Sequence, residues 1–322
     1  MSMKCIRVRN FGTPEVLCLE DRKDLRPDPG QVLIQVKAAG VNPVDTYIRS
    51  GTYSQKPKLP YTPGLDAAGI VETVGEGIKR IFPGDRVYAT GTISGSYAEQ
   101  ALCKESQLHI LPPTVSYSQG ASIGIPYATA YHALVHCAKV QPKESVLIHG
   151  ASGGVGLACI QFARSFQMNI IGTAGSKAGL TLVDQQGADH VLDHRKTNHL
   201  DEVISLTDGR GVDVILEMLA NKNLPQDLPA LATGGRLVII GSRGTTELDP
   251  RQIMIRGASI IGMFLFNISE KNATNIHDAL EAGLNNGTLN PVVGQEIPLV
   301  NAADSHEAVI NPPAYGKIVL IP

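Results

Sequence analysis

The segment 145–156, which reads SVLIHGASGGVG, constrains the fold more than any other part of this 322-residue chain. A short apolar run, typical of a buried strand, leads into a glycine loop, and an apolar helical pattern follows. Gly150, Gly153 and Gly156 permit a tight turn, close approach of the backbone to a pyrophosphate and close packing of the helix on the sheet. Free N–H groups at the start of the helix would face the anion. The segment therefore predicts a dinucleotide-binding site.

The end of the next predicted strand indicates which dinucleotide is bound. An Asp or Glu at this point would accept the ribose hydroxyls of NAD. The chain instead reads TAGSK at 173–177, without a carboxylate. Lys177 offers a cation and Ser176 a hydroxyl donor for a 2′-phosphate, which a carboxylate would repel. These residues favour NADPH over NADH, and the pair His194-Arg195 offers a weaker additional contact near the adenine.

Three stretches differ in their local pattern. Residues 1–123 alternate β-like runs with Gly- and Pro-rich turns, as expected for a barrel-like or sandwich-like domain. From about 126 to 260, predicted strands alternate with helical segments, which indicates βαβ units and a parallel sheet. The strands are expected at 145–149, 169–173, 190–192, 212–217 and 236–240, and helices at 127–138, 155–166 and 178–186. The tail after 263 carries one helix, at 274–284, and returns to β-like runs.

Composition excludes several classes of protein. With 28 basic and 30 acidic residues the net charge is −2, which argues against wrapping of duplex nucleic acid. The longest apolar run, 258–266, is too short to cross a membrane, and residues 1–12 lack the apolar core of a signal peptide. A cytoplasmic protein is therefore expected. Five scattered cysteines without a CxxC pair predict neither a disulfide framework nor a structural zinc site.

Several motifs outside the glycine loop resemble the medium-chain dehydrogenase/reductase superfamily. They are VNPVD at 41–45, PGLDAAG at 63–69, GDRV at 84–87, GSYAE at 95–99 and YATAY at 127–131. Four further segments resemble its quinone oxidoreductase branch, which is zeta-crystallin-like; they lie at 50–54, 172–177, 217–221 and 240–244. The resemblance covers nearly the whole chain, and it is more specific for the family than for the substrate.

The resemblance implies an α/β fold with two domains. Residues 1–124 and 264–322 would form a GroES-like, partly open β-barrel domain, and 125–263 a Rossmann domain with a doubly wound parallel sheet. The cofactor would lie in the cleft between them. Metal-dependent relatives carry a Cys and a Gly-His-Glu segment as zinc ligands, where this chain has Asp45 and Gly64-Leu65-Asp66. Because leucine cannot bind a metal and catalytic zinc needs three protein ligands, no metal site is expected.

The resemblance also implies the cofactor contacts. The pyrophosphate would lie along Ser152, Gly153, Gly154, Val155 and Gly156, and the 2′-phosphate beside Gly175, Ser176, Lys177 and His194. The ribose contacts would be Asn221, Ile240, Gly241, Ser242 and Arg243. Phe264, Leu265 and Phe266 would line the cleft beside the nicotinamide, although the residues alone favour a core or a subunit interface. Tyr53 and Thr129 would lie near the nicotinamide, with Asp45 close by. Tyr53 and Asn42 are the expected catalytic residues, as substrate-positioning or polarising groups.

The implied activity is zinc-independent reduction of a quinone by NADPH. No His, Cys or paired carboxylate stands out as an acid–base unit. A quinone accepts electrons readily and its product can take protons from water, so the reaction mainly needs a hydride donor held near the acceptor.

Two alternatives to quinone reduction stay open. One is NADPH-dependent reduction of α,β-unsaturated carbonyls, with Tyr53 as a candidate proton donor. The other is a non-catalytic NADPH- or RNA-binding, crystallin-like role, although no interleaving of basic and aromatic residues favours RNA. A homodimer or homotetramer is also implied, with 258–266 either an edge strand at which the sheets of two subunits join or a central strand.

Overall fold

Two compact units make up the computed structural model, which describes residues 2–311 and 315–322. The first unit contains the described residues up to Ile125, together with 291–311 and 316–322. The second contains 126–290 and Tyr315. The expected domain boundaries need one correction. Residues 264–290, which we assigned to the first domain, pack with the second unit, because the long helix within them lies against the second unit's own elements.

The strands and helices follow one another along the chain in three groups. The first group is β1 (Ser2–Arg7), β2 (Cys18–Lys23), β3 (Gln31–Val41), α1 (Pro43–Ser50), β4 (Asp66–Val74), β5 (Arg86–Thr90), β6 (Gln100–Lys104), β7 (Leu108–Ile110) and α2 (Tyr117–Gly120). The second group begins with α3 (Gly124–Tyr131), a π-helix (His132–Cys137), β8 (Ser145–Ile148), α4 (Gly154–Ser165), β9 (Asn169–Ala174), α5 (Lys177–Gln185), β10 (His190–Asp193) and α6 (His199–Leu206). It continues with β11 (Val212–Glu217), α7 (Ala220–Asp227), β12 (Leu231–Ile239), α8 (Arg251–Arg256), β13 (Ser259–Gly262) and α9 (Glu270–Asn286). The third group is β14 (Val293–Pro298), α10 (Ala302–Ile310) and β15 (Lys317–Ile321). Short 3₁₀ turns lie at Pro14–Val16, Glu105–Gln107, Leu228–Ala230, Leu265–Asn267 and Leu299–Asn301.

The first unit is built on a mainly antiparallel sheet with the strand order β14-β15-β3-β4-β5-β7, and β6 pairs with β3. Alternate residues of a strand point to one face, and Val32, Ile34 and Val36 of β3 are buried in the core of this unit. The tail returns to the same sheet, since β15 pairs with β3 and places Ile318 opposite Val41. The β-rich first domain with a returning tail is therefore present as predicted.

The second unit contains a parallel sheet with the strand order β10-β9-β8-β11-β12-β13. Strands β8, β9 and β10 follow one another from the middle of the sheet to one edge. Strands β11, β12 and β13 follow one another from the middle to the opposite edge. The carboxyl ends of β8 and β11 therefore flank the point at which the strand order reverses, where open α/β sheets bind ligands. Together the two units confirm the predicted fold class. Strand β13 lies at the edge of this sheet, which decides between the edge and central positions expected for 258–266.

None of the helices within 2–311 and 315–322 combines the length and the apolar character that crossing a membrane requires.

Candidate functional site

The glycine loop between β8 and α4 leaves the start of the helix open. The Ala151 N–H donates to the carbonyl oxygen of Thr173 at 2.7 Å, and the Gly153 N–H donates to that of Gly150 at 3.1 Å. Gly153 caps α4 but has no side chain to accept the first N–H groups of the helix. A Cβ on Gly156 would lie 2.5 Å from the Cα of Ala151, so only glycine allows this packing. The geometry fits an anion held by backbone N–H groups, as expected for a pyrophosphate.

The turn between β9 and α5 gathers the residues expected around a 2′-phosphate. Ser176 caps α5, and its Oγ accepts the Gly179 N–H at 3.0 Å, which leaves the hydroxyl proton free to be donated. Lys177 is the first residue of α5, is exposed, and has no carboxylate within 4 Å in the part of the chain that is described. A Cβ on Gly175 would lie 2.6 Å from Nε2 of His194, so this histidine lies directly against the turn.

Gly179 is a residue that sequence reasoning missed. A Cβ at this position would lie 3.0 Å from Oγ of Ser152 and 3.1 Å from Oγ of Ser176. The glycine loop and the β9–α5 turn therefore meet at the first turn of α5, where a larger residue would push the two serines apart. The signal was present in the sequence as a second glycine placed four residues after Gly175.

The loops after β11 and β12 are joined by hydrogen bonds. The backbone N–H groups of Ile240 and Gly241 donate to the carbonyl oxygen of Glu217 at 2.9 and 3.3 Å. Oδ1 of Asn221 accepts the Arg243 N–H at 2.9 Å. The structure thus brings Asn221 together with the segment that contains Ser242, as expected for ribose contacts, and the asparagine fixes the backbone of that segment.

The remaining residues of the second unit that are expected to contact the cofactor differ in solvent exposure. Phe264 and Phe266 follow the edge strand β13 and are 42% and 46% exposed, with their rings 5.7 Å apart in a T-shaped arrangement. Leu265 lies between them and is half-buried. Their exposure excludes an ordinary core position and leaves a ligand contact or a subunit interface. Thr129 is buried on α3.

The two expected catalytic residues lie at opposite ends of α1 in the first unit. Tyr53 follows the helix and is half-buried, its N–H donates to the carbonyl oxygen of Tyr47 at 3.1 Å, and burial raises its pKa. Asn42 caps the helix and is buried. Its amide donates to Oδ2 of Asp66 at 2.9 Å, and its Oδ1 accepts from the ammonium of Lys317. Asn42 therefore holds internal charges in place, and its substrate-positioning role stays a prediction.

A buried group of acids around Asn42 was missed at the level of sequence. Asp45 and Asp66 are 3% and 0% exposed. Nζ of Lys317 lies 3.4 Å from Oδ2 of Asp66, and the Ile125 N–H donates to Oδ1 at 2.9 Å. The expectation that no His, Cys or paired carboxylate stands out as an acid–base unit stays a prediction. Lys317 lies 251 residues from Asp66 in the sequence, so no local pattern could have revealed this ion pair.

Asp45 is held differently from Asp66. Its Oδ2 accepts the Asn42 N–H at 2.8 Å and the Tyr97 hydroxyl at 3.3 Å, and the Tyr97 oxygen lies 3.1 Å from Nε2 of His306. Burial raises the pKa of Asp45 to about 7, against the opposing effect of the Asn42 N–H. Burial also raises the pKa of Asp66, and the Lys317 ammonium opposes that rise.

The second unit contains one set of three side chains within the described residues that could hold a metal ion: His149, Glu217 and Asp227. Nε2 of His149 lies 2.9 Å from Oδ1 of Asp227 and 3.6 Å from Oε2 of Glu217. Burial raises the pKa of Glu217 to about 7 and that of Asp227 to about 6, and it lowers the pKa of His149. Burial therefore disfavours the charged form of each of the three groups. Sequence reasoning did not find it, because the three residues join only in the folded sheet.

Two family models match the chain. The alcohol dehydrogenase GroES-like domain matches residues 28–113, and the zinc-binding dehydrogenase model matches residues 154–281. The quinone oxidoreductase of Homo sapiens is 50% identical over 323 residues, which cover 99% of this chain and 98% of that protein.

Solved structures of similar proteins cover the chain equally well. A mycobacterial protein solved in complex with NADPH is 29% identical with a TM-score of 0.91, and the match covers 100% of both chains. The quinone oxidoreductase of Pseudomonas syringae pv. Tomato is 28% identical with a TM-score of 0.90, and the match covers 99% of this chain and 100% of that one. The chain therefore belongs to the medium-chain dehydrogenase/reductase superfamily of oxidoreductases, within its quinone oxidoreductase branch.

Proposed function

We propose that this chain is a quinone reductase that uses NADPH and works without zinc. The identity of 50% with a quinone oxidoreductase over nearly the full length is the observation that carries the substrate class. Bound NADPH would supply the hydride, which is chemistry of the cofactor and not of the protein. The residues of this chain would bind and orient the cofactor and the acceptor.

The preference for NADPH rests on the residues at the end of β9. The exposed Lys177 and the free hydroxyl proton of Ser176 lie at the start of α5, which Ser176 caps, and no carboxylate lies at the end of the strand. A 2′-phosphate would receive the ammonium and the hydroxyl, whereas NADH has no group to place there. The uncapped start of α4 would hold the pyrophosphate of either cofactor.

Zinc independence rests on what occupies the metal-ligand positions of the family. Leu65 has no ligand atom, and Asp66 already faces the ammonium of Lys317. Asp45 accepts hydrogen bonds from Asn42 and Tyr97. A divalent ion would have to displace the lysine cation while finding at most two carboxylate ligands there, and catalytic zinc uses three.

The test is steady-state oxidation of NADPH by chelator-treated protein. An ortho-quinone, a para-quinone and a simple enone are offered in parallel, and NADH replaces NADPH in a control. We expect quinone turnover with NADPH that the chelator does not change. Turnover of the enone alone would assign the chain to the double-bond reductases. Tight NADPH binding without turnover would favour a binding role, which retention of single-stranded RNA on a filter, with and without NADPH, would examine.

The cytoplasmic location and the homodimeric or homotetrameric state stay predictions.

A further inference from the structure

The first unit contains a cavity of about 690 Å³, which lies within the ~300–1,000 Å³ typical of small-molecule sites. Much of its wall is apolar, because the side chains of Ile48, Leu65 and Ile93 line it together with three prolines. Small-molecule sites are mostly apolar, with a few polar groups that fix the orientation of the ligand. The volume and the wall of this cavity therefore suit a ligand that contains a ring system.

The charged side chains that line this cavity are mostly cations. Arg7, Arg22 and Lys56 line it, and Asp45 is the one carboxylic acid among the described lining residues. Burial raises the pKa of Asp45 to about 7, so at neutral pH this acid offsets less than one of the three positive charges. The cavity therefore has an excess of positive charge, which attracts anions.

The two arginines lie on neighbouring strands and repel one another. Arg7 ends β1, and Arg22 lies on β2, which pairs with β1 in antiparallel register. Burial lowers the pKa of the Arg7 guanidinium, and the charge of Arg22 acts in the same direction. The protein's own acids therefore leave the two positive charges partly uncompensated, and an anion beside them would relieve the repulsion.

Neither arginine has a carboxylate partner within the described residues. Arg7 donates to a backbone carbonyl oxygen at 2.8 Å and to the hydroxyl of Thr62 at 3.4 Å. The side chain of Arg22 is exposed and forms no ion pair within residues 2–311 and 315–322. Glu20 lies two residues before it on β2, but this carboxylate is held by Arg9, whose Nε lies 2.8 Å from Oε1. Both guanidinium groups therefore remain available to an anion from outside the chain.

We propose that this cavity binds an aromatic carboxylate. The guanidinium groups of Arg7 and Arg22 would hold the carboxylate, because arginine presents its N–H donors in a planar fork that matches carboxylate oxygens. The ring system would lie against Ile48, Leu65 and Ile93. The lining residues all belong to the first unit, and the proposal does not rest on the quinone reductase function proposed above.

The cations and the apolar wall together select this class of ligand. An inorganic anion would pair with the arginines but would leave the apolar wall in contact with water. A neutral ring system would cover the wall but would leave two guanidinium groups without a negative charge. A ligand with both a ring and a carboxylate satisfies both parts of the site.

The test compares how 2-naphthoate and 2-naphthamide bind to the full chain without cofactor. The two probes share a ring system, and only 2-naphthoate carries a charge. Because the chain contains no tryptophan, the fluorescence of the naphthalene ring reports binding directly. We expect 2-naphthoate to bind ~10–30-fold more tightly at low ionic strength, and this difference should shrink as salt rises. Acetate at the same concentration should not displace 2-naphthoate, because it lacks the ring.

Arg22→Ala locates the bound probe, and Lys23→Ala is its matched control. Both residues are exposed cations on β2, but Lys23 does not line the cavity. We expect Arg22→Ala to weaken 2-naphthoate binding ~5-fold and to leave 2-naphthamide binding unchanged. Lys23→Ala should keep the wild-type affinity for both probes, and Arg22→Lys should recover part of the loss. Because Arg22 is exposed, its substitution should leave the fold intact.

Several results would overturn the proposal. They are equal affinities of the wild type for the two probes, displacement of 2-naphthoate by acetate at the same concentration, and 2-naphthoate binding that Arg22→Ala leaves unchanged. An equal loss in Lys23→Ala would also overturn it, since the effect would then come from net charge and not from the cavity. Failure to reduce any quinone would overturn the proposed function alone, because this test needs neither cofactor nor turnover.

Discussion

Substitution of Lys177 is the sharpest test of the cofactor preference, because no ion pair with a carboxylate is found for this lysine among the described residues. It is the first residue of α5, it is exposed, and no carboxylate lies within 4 Å of it in residues 2–311 and 315–322. A cation at a helix N-terminus is unfavourable by about 0.3–1 kcal/mol, since it faces the positive end of the helix dipole. Lys177→Ala should therefore leave the thermal stability of the protein unchanged or slightly raised.

The same substitution should weaken NADPH far more than NADH. For an exposed ammonium about 4 Å from a phosphate, Coulomb's law in water gives about 1 kcal/mol per unit charge. The 2′-phosphate carries a charge of about −1.5 to −2, and physiological salt screens part of the attraction. We expect the binding free energy of NADPH to weaken by about 1–2 kcal/mol, so that its Kd rises ~5–30-fold. The Kd of NADH should stay nearly unchanged.

Titration of the nicotinamide fluorescence measures both dissociation constants on the same samples. Lys271→Ala is the matched control, because Lys271 is also an exposed lysine in the first turn of a helix, α9. The effect of Lys177→Ala on NADPH should shrink as salt rises, since the interaction is between exposed charges. Equal weakening of NADPH and NADH would refute the role of Lys177, and an equal loss in Lys271→Ala would show that the effect is not specific to this lysine.

Three further predictions concern packing and buried charge. Gly156→Ala should abolish tight NADPH binding in a fluorescence titration, because its Cβ would lie 2.5 Å from the Cα of Ala151; unchanged binding would contradict the packing argument. Lys317→Met should lower the free energy of unfolding by about 3–5 kcal/mol at pH 8, since Asp66 loses its cation. The loss should shrink as pH falls, because burial raises the pKa of Asp66 and favours its neutral form; denaturant unfolding with equal losses across the pH range would count against this. Burial raises the pKa of Glu217 from 4.5 to about 7, so the folded chain holds a proton that the unfolded chain has released. The wild type should therefore lose on the order of 3 kcal/mol relative to Glu217→Gln as pH rises through that interval, and parallel stability curves would exclude this.

The second unit was the more predictable of the two. Its buried parallel strands read as continuous apolar runs, and the expected strand 212–217 coincides with β11. The predicted helix at 155–166 lies one residue from α4, Gly154–Ser165. The predicted helix at 127–138 is instead α3 followed by a π-helix at His132–Cys137, where Nδ1 of His132 lies 3.0 Å from Nδ1 of His136. A π-turn has no separate signature in the periodicity of apolar residues, so the sequence could not show it.

Candidate residues for a cofactor site could be predicted from the sequence because the glycine loop is local. Gly150, Gly153 and Gly156 lie within seven residues, and their spacing follows from the turn they form. The acids of the first unit could not be paired in this way. Asp45 and Asp66 lie on different elements, and Lys317 reaches them only because β15 pairs with β3 at the other end of the chain. Sheet order and long-range pairing are properties of the folded chain that local pattern does not contain.

The single lysine in this acid group determines which of the two aspartates is ionised and which keeps its proton. Lys317 lies 3.4 Å from Asp66, whereas Asp45 has no cation within 4 Å among the described residues. Two ionised carboxylates beside one buried ammonium would leave an unpaired negative charge away from water, which is costly. The arrangement is relieved when Asp66 is ionised against the lysine and Asp45 keeps its proton, and the charge of Asp66 itself raises the pKa of Asp45. The position of Lys317 therefore favours the ionised form of Asp66 and the protonated form of Asp45.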